Sequence, residues 1–171
     1  LRVVLRRRLH AEPAQREHAG TEQHGQDVQV DLFPIQHDLD RPLTPKGERQ
    51  AQRMAEWLNH RLAHSTRILV SPAVRTQQTA KALDRSFKTV KAIAPDASAT
   101  AVLSAARWPE SNEPVLVVGH QPTLGHVAAL LLGEVAQSWV IKKGAVWWLR
   151  SRERETGSQV VLQAVQSPDL L

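Results

Sequence analysis

Four side chains in this sequence are of types that together could manage a phosphoryl group: Arg8, His10, Arg75 and His120. The planar fork of an arginine makes two parallel, charge-assisted hydrogen bonds to a phosphate. A histidine near neutral pH serves as a nucleophile or as a charged donor. Two of each around one phosphorus would stabilise an in-line transition state by positioning and charge alone. Singly, each has a plainer reading: Arg75 as a surface residue, His120 as a satisfied turn histidine, the run Arg6-Arg7-Arg8 as solvated charge. The sequence holds no Walker A loop and no carboxylate cluster of metal-site type. His18, His24 and His37 match no usual ligand spacing, so neither a metal nor a cofactor is expected.

These residues are far apart in sequence, so the fold must gather them. Residues 2–5 read as a short buried strand that ends in the arginine cluster. Residues 11–40 show no periodicity and read as a long loop, of the kind that is functional or disordered when it interrupts a compact domain. Thr44 is a helix cap followed by Pro45 at the first helical position. Ala51, Met54, Ala55, Leu58 and Leu62 then recur at helical spacing. Arg67–Val70 is a short apolar strand. Ser71-Pro72 reads as a second cap with its proline, opening a helix to about Arg85. Residues 87–93 alternate weakly as a strand, and residues 98–107 read as a helix.

Val115–Val118 is an unbroken apolar run suited to a central parallel strand. Gly119-His120-Gln121-Pro122 ends it, and a helix follows over residues 123–132. Residues 145–149 and 159–165 are two further strands with a turn at Gly157, and Trp147 and Trp148 should face opposite sides. Residues 166–171 carry no assignment. Strands alternating with helices imply an α/β sheet covered on both faces. In such sheets ligands sit beyond the carboxyl ends of the strands. Arg6 to His10, Arg75 and His120 each follow a strand and should therefore converge there.

Bulk properties agree with this reading. The 171 residues, 42% hydrophobic and 23% charged, suit a single domain over residues 1–171. The net charge of +5 favours anionic partners. The absence of RNP, zinc-knuckle and helix-turn-helix signatures argues against nucleic acid. There is no cysteine, which excludes disulfides and fits a reducing, cytoplasmic setting. No apolar run is long enough for a transmembrane helix, and the first one is too short for a signal peptide.

Three segments carry a resemblance: Arg41-Pro42-Leu43-Thr44-Pro45-Lys46-Gly47, Ser71-Pro72-Ala73-Val74-Arg75-Thr76-Gln77-Gln78-Thr79-Ala80, and Val117-Val118-Gly119-His120-Gln121-Pro122-Thr123-Leu124. With Lys142-Lys143-Gly144-Ala145 they resemble the histidine phosphatase superfamily, and within it the SixA-type phosphohistidine phosphatases, from about Asp40 to the C-terminus. The resemblance implies a phosphoglycerate-mutase-like α/β sandwich with a mostly parallel sheet. It also implies a metal-independent phosphohydrolase acting on a phosphorylated protein or a small phosphorylated substrate; the chain itself is expected to be a monomer. Its nucleophilic histidine ends the first strand and is phosphorylated in turn; an adjacent arginine, a second arginine and a second histidine hold the oxygens.

Carried over, Arg75 and His120 match the second pair. The first pair departs from the pattern, in which arginine is followed directly by histidine. Arg8-Leu9-His10 matches with one inserted residue, making Arg8 the arginine and His10 the nucleophile. Without the insertion, Arg7 takes the arginine place, Arg8 replaces the nucleophile, and the site binds phosphoryl groups without cleaving them. A one-residue shift in a strand reverses the face a side chain points to, and a bulge at Leu9 would restore it. Glu12 and Asp96 are the available general acids. Phosphohistidine makes little demand on one, because its P–N bond is labile and imidazole leaves readily.

Overall fold

The computed structural model describes residues 2–7, 38–134, 137–154 and 157–171. Six strands form one sheet in the order β3-β2-β4-β1-β5-β6. They are β1 (Arg2–Arg7), β2 (Arg67–Val70), β3 (Lys88–Thr89), β4 (Val115–Val118), β5 (Val146–Arg154) and β6 (Gly157–Gln166). Four helices lie wholly within the described residues: α1 (Pro45–Asn59), α2 (Val74–Lys81), α3 (Ala99–Ala106) and α4 (Thr123–Gly133). Single 3-10 turns lie at Lys91–Ile93 and Pro168–Leu170. The trio β3, β2 and β4 is parallel, whereas β1 runs antiparallel to β4 and parallel to β5, and β6 returns antiparallel beside β5. No helix among the described residues is long and apolar enough to cross a membrane.

All four residues of β4 are buried. A pleated strand alternates its side chains, so this strand feeds two cores. Leu116 and Val118 join Ile68, Val70, Met54, Leu58, Leu83 and Trp148 beneath α1 and α2. Val115 and Val117 join Leu69, Val102, Leu124, Val127 and Leu149 beneath α3 and α4. The helices therefore cover both faces. The tryptophan pair divides as expected: Trp148 packs edge-on against Trp57, and Trp147 lies against Trp139 on the other side.

Local chemistry explains most boundaries. The Thr44 hydroxyl accepts from the Gly47 amide at 3.2 Å, and Pro45 occupies the first helical position of α1, where its missing N–H costs nothing. The helix stops at Asn59, one turn before the apolar spacing runs out at the buried Leu62. Three expectations are corrected. Helix α2 starts at Val74, not at Pro72, and ends at Lys81. The strand expected over residues 87–93 shrinks to Lys88–Thr89, because residues 91–93 turn into a 3-10 helix that buries Ile93. The loop expected over residues 11–40 lies outside the described residues up to position 37, and residues 38–40 are helical. The last residues, unassigned from sequence, form a 3-10 turn whose Asp169 pairs with Lys142 and accepts from Gln50.

Candidate phosphate-binding site

Strands β2 and β4 end side by side, with Val70 opposite Val118. The Ser71 amide donates to the Val118 carbonyl at 3.1 Å, so Ser71 and Gly119-His120 leave the sheet together. Ser71 is fully buried and His120 is 8% exposed. Arg75, in the first turn of α2, reaches across so that its Nη2 lies 3.0 Å from His120 Nδ1. A guanidinium is only ever a donor, so Nδ1 accepts and the ring proton resides on Nε2. That nitrogen lies 2.7 Å from Ser71 Oγ, to which it donates. Burial, and then the Arg75 charge, push the His120 pKa down from 6.5 to about 4, with the Asp38 carboxylate opposing them. The ring is neutral at neutral pH, and one tautomer is fixed from both sides.

The serine explains the late start of α2. Ser71 lies outside the helix, bonded to His120, and the N-cap residue Ala73 offers no side-chain acceptor. Thr76 and Gln77 secure the turn in its place. The Gln77 amide donates to the Ser71 carbonyl at 2.6 Å, and the Thr76 hydroxyl lies 2.9 Å from that carbonyl and 2.7 Å from the Ala73 carbonyl. On the next turn, Gln78 Oε1 accepts from the Leu43 amide at 2.7 Å, which ties the segment before α1 to α2.

The His120 side is braced as firmly. Gln121 accepts from the Gly125 amide at 2.9 Å and donates to the Trp139 carbonyl at 3.1 Å. A Cβ added at Gly125 would lie 2.1 Å from that carbonyl oxygen, so only glycine permits α4 to approach the 138–141 segment this closely.

A fourth side chain joins the cluster. The Asp38 carboxylate places Oδ2 2.7 Å from Arg75 Nη2 and Oδ1 3.1 Å from Arg41 Nη2. The Asp38 carbonyl also accepts from Arg75 Nη1. Burial alone would raise the Asp38 pKa, but the hydrogen bond from Arg75 and then the charges of Arg75 and Arg41 outweigh it and hold the carboxyl below its ordinary value. Asp38 is thus ionised, and Arg75 presents both arms of its fork to one acidic residue.

Of the residues expected at the site, Arg75 and His120 meet. Arg8, His10 and Glu12 lie outside the described residues. The expected convergence of the first strand is not what its backbone shows: in the β1–β4 ladder Arg2 pairs with Val118 and Leu5 with Val115. The amino end of β1 therefore lies beside the edge from which His120 departs, and Arg6 and Arg7 lie toward the other edge. Asp96 is exposed with a φ of 66°, and it is not among the hydrogen-bond partners of Arg75, His120 or Ser71. Two site residues go beyond the sequence expectation. Ser71 is expected there only as a cap, and Asp38 only as loop, although its spacing of three to Arg41 is a helical ion-pair signal.

A buried neutral histidine held against an arginine, beyond the carboxyl ends of two parallel strands of an α/β sheet, is an arrangement chemically suited to an anion. Comparison with known proteins gives that arrangement a family. The sequence profile described as histidine phosphatase superfamily (branch 1) matches residues 18–98. An uncharacterized protein of Picosynechococcus is 35% identical over 132 residues, spanning 72% of this chain and 80% of that protein. The phosphohistidine phosphatase SixA of Escherichia coli is 31% identical over 102 residues, spanning 55% of this chain and 63% of that one. A structure assigned to SixA of Nakamurella multipartitia superposes with a TM-score of 0.64 at 25% identity, over 98% of this chain and 95% of that one. The chain belongs to the histidine phosphatase superfamily, is of the SixA type, and has the α/β phosphoglycerate-mutase-like fold.

Proposed function

We propose that this protein is a metal-independent phosphohydrolase that removes the phosphoryl group from phosphohistidine on a protein, or from a small phosphorylated substrate, by way of a phosphorylated enzyme histidine. The observation that carries the reading is the Arg75 Nη2 to His120 Nδ1 contact of 3.0 Å at the head of β2 and β4. Arg75 supplies the charge and the fork that orient the phosphoryl oxygens. His120, neutral when the site is free of phosphate, gains a proton more readily once a dianion lies beside it, and it can then donate to a peripheral oxygen. Ser71 holds the ring in the orientation this needs. His10 is the nucleophile in this scheme and Arg8 its neighbouring cation. Imidazole as leaving group demands little of an acid, so neither Glu12 nor Asp96 is given that role.

One observation favours the second reading, a protein that binds phosphoryl groups without turning them over: the direction of β1, whose carboxyl end lies away from His120. A single experiment separates the two. The protein is incubated with phosphoramidate, and acid-labile phosphate on the chain is measured for the parent and for His10→Ala, His18→Ala, His24→Ala and His37→Ala. Loss of labelling confined to His10→Ala, with hydrolysis unaffected by EDTA, supports the enzyme as written. Labelling that survives His10→Ala removes His10 as nucleophile. Phosphate binding with neither labelling nor turnover supports the binding protein.

A further inference from the structure

Asp38 occupies Arg75 in the manner of a phosphate. Its carboxylate and its own carbonyl take the two terminal nitrogens of the guanidinium, and its second carboxylate oxygen takes Arg41. One acidic residue thus bridges two arginines next to a buried histidine. The contact is built to open: the Asp38 side chain is 33% exposed and that of Arg41 67%, against 19% for Arg75. Resting on the reading of Arg75 and His120 as a phosphoryl site, we infer that Asp38 is a built-in competitor that selects for doubly charged ligands. A phosphoryl dianion enters by displacing the Asp38 carboxylate from Arg75, and Arg41, freed in the same step, becomes a second cation for it.

Charge decides what can make the exchange. A dianion replaces one negative charge by two between two guanidinium groups, so it gains attraction on entry. A monoanion replaces like with like, loses the tether that holds Asp38 in place, and gains nothing. The competitor therefore costs every ligand some affinity and excludes the singly charged ones. A site closed about nine-tenths of the time weakens apparent affinity about tenfold.

Titration calorimetry at pH 8 with inorganic phosphate, and with dimethyl phosphate as a singly charged tetrahedral anion, tests this. The parent, Asp38→Ala, Asp38→Asn and Arg75→Ala are compared, each verified as folded by its melting curve. Asp38→Asn keeps the shape and removes the charge, so it serves if Asp38→Ala does not fold. Phosphate should bind about tenfold tighter to the Asp38 variants than to the parent. Dimethyl phosphate, undetectable with the parent, should become measurable with them. Phosphate affinity equal to or weaker than the parent in the Asp38 variants, with binding abolished in Arg75→Ala, overturns the competitor while leaving the phosphoryl site intact. Binding insensitive to Arg75→Ala overturns the site and the competitor with it.

Discussion

Strands β4 and β1 are neighbours, paired residue for residue over four positions, and they run in opposite directions. β4 carries the chain up to His120. β1 brings Arg2 to that same edge and sends Arg7 to the other. The half of the sheet built from β2 and β4 therefore brings Ser71, Arg75 and His120 together just past its strand ends. In the function proposed above, holding a phosphate falls to residues that follow β2 and β4, and attacking one to a residue that follows β1. Among the described residues, the groups proposed to hold a phosphate are brought together.

The largest expected effect breaks the holding half. Arg75→Ala should weaken inorganic phosphate binding by about a hundredfold, because truncating one member of a buried charged pair costs about 2–5 kcal/mol; calorimetry checks it. The second concerns pH. His120 has a native pKa of about 4 against 6.5 when free, so between those values the unfolded chain binds more protons. Stability is then full above pH 6.5 and falls as pH drops toward 4, by at most about 3 kcal/mol. Urea denaturation at pH 7 and pH 4.5 should show that loss in the parent and a smaller one in His120→Gln.

Ser71→Ala removes the acceptor for His120 Nε2–H and should cost about 1–2 kcal/mol of stability. Its phosphate affinity should fall less than that of Arg75→Ala, and a melt paired with calorimetry separates the two effects. Thr44→Ala deletes the cap of α1 and should cost about 1 kcal/mol in denaturation while leaving phosphate binding alone. The smallest effect sharpens the comparison from the β1 side. Arg7→Ala should leave phosphate affinity within about twofold; a larger drop would mean that this strand delivers charge to the site despite its direction.

Much of this is legible in the residues, for identifiable reasons. Val115 to Val118 has no polar residue and so has to lie between two cores. Thr44-Pro45 carries a cap and a first-turn proline in one dipeptide. Arg75 and His120 both follow apolar strands, and parallel strands bring such positions to one edge. The direction of β1 is not legible, because Val3-Val4-Leu5 flanked by arginines reads alike from either end and pairing with β4 satisfies the backbone both ways. The role of Ser71 is hidden because a serine before a proline is a common cap, and its choice of His120 depends on β4, which lies 44 residues downstream of it in the chain. Asp38 is hidden because the three residues from Asp38 to Asp40 are too few to leave a periodic mark of their own.

Gly125 bears on how this chain can vary. The closeness of α4 to the Trp139 carbonyl is set by backbone against backbone, and no rotamer change can relieve it. In the same segment Val140 is almost wholly exposed, so its side chain answers to solvent alone. Letters in this stretch are free to drift where they point outward, but the path of the main chain is not. Any insertion or bend there would be felt first at Gln121, which spans the joint, and next at His120 beside it.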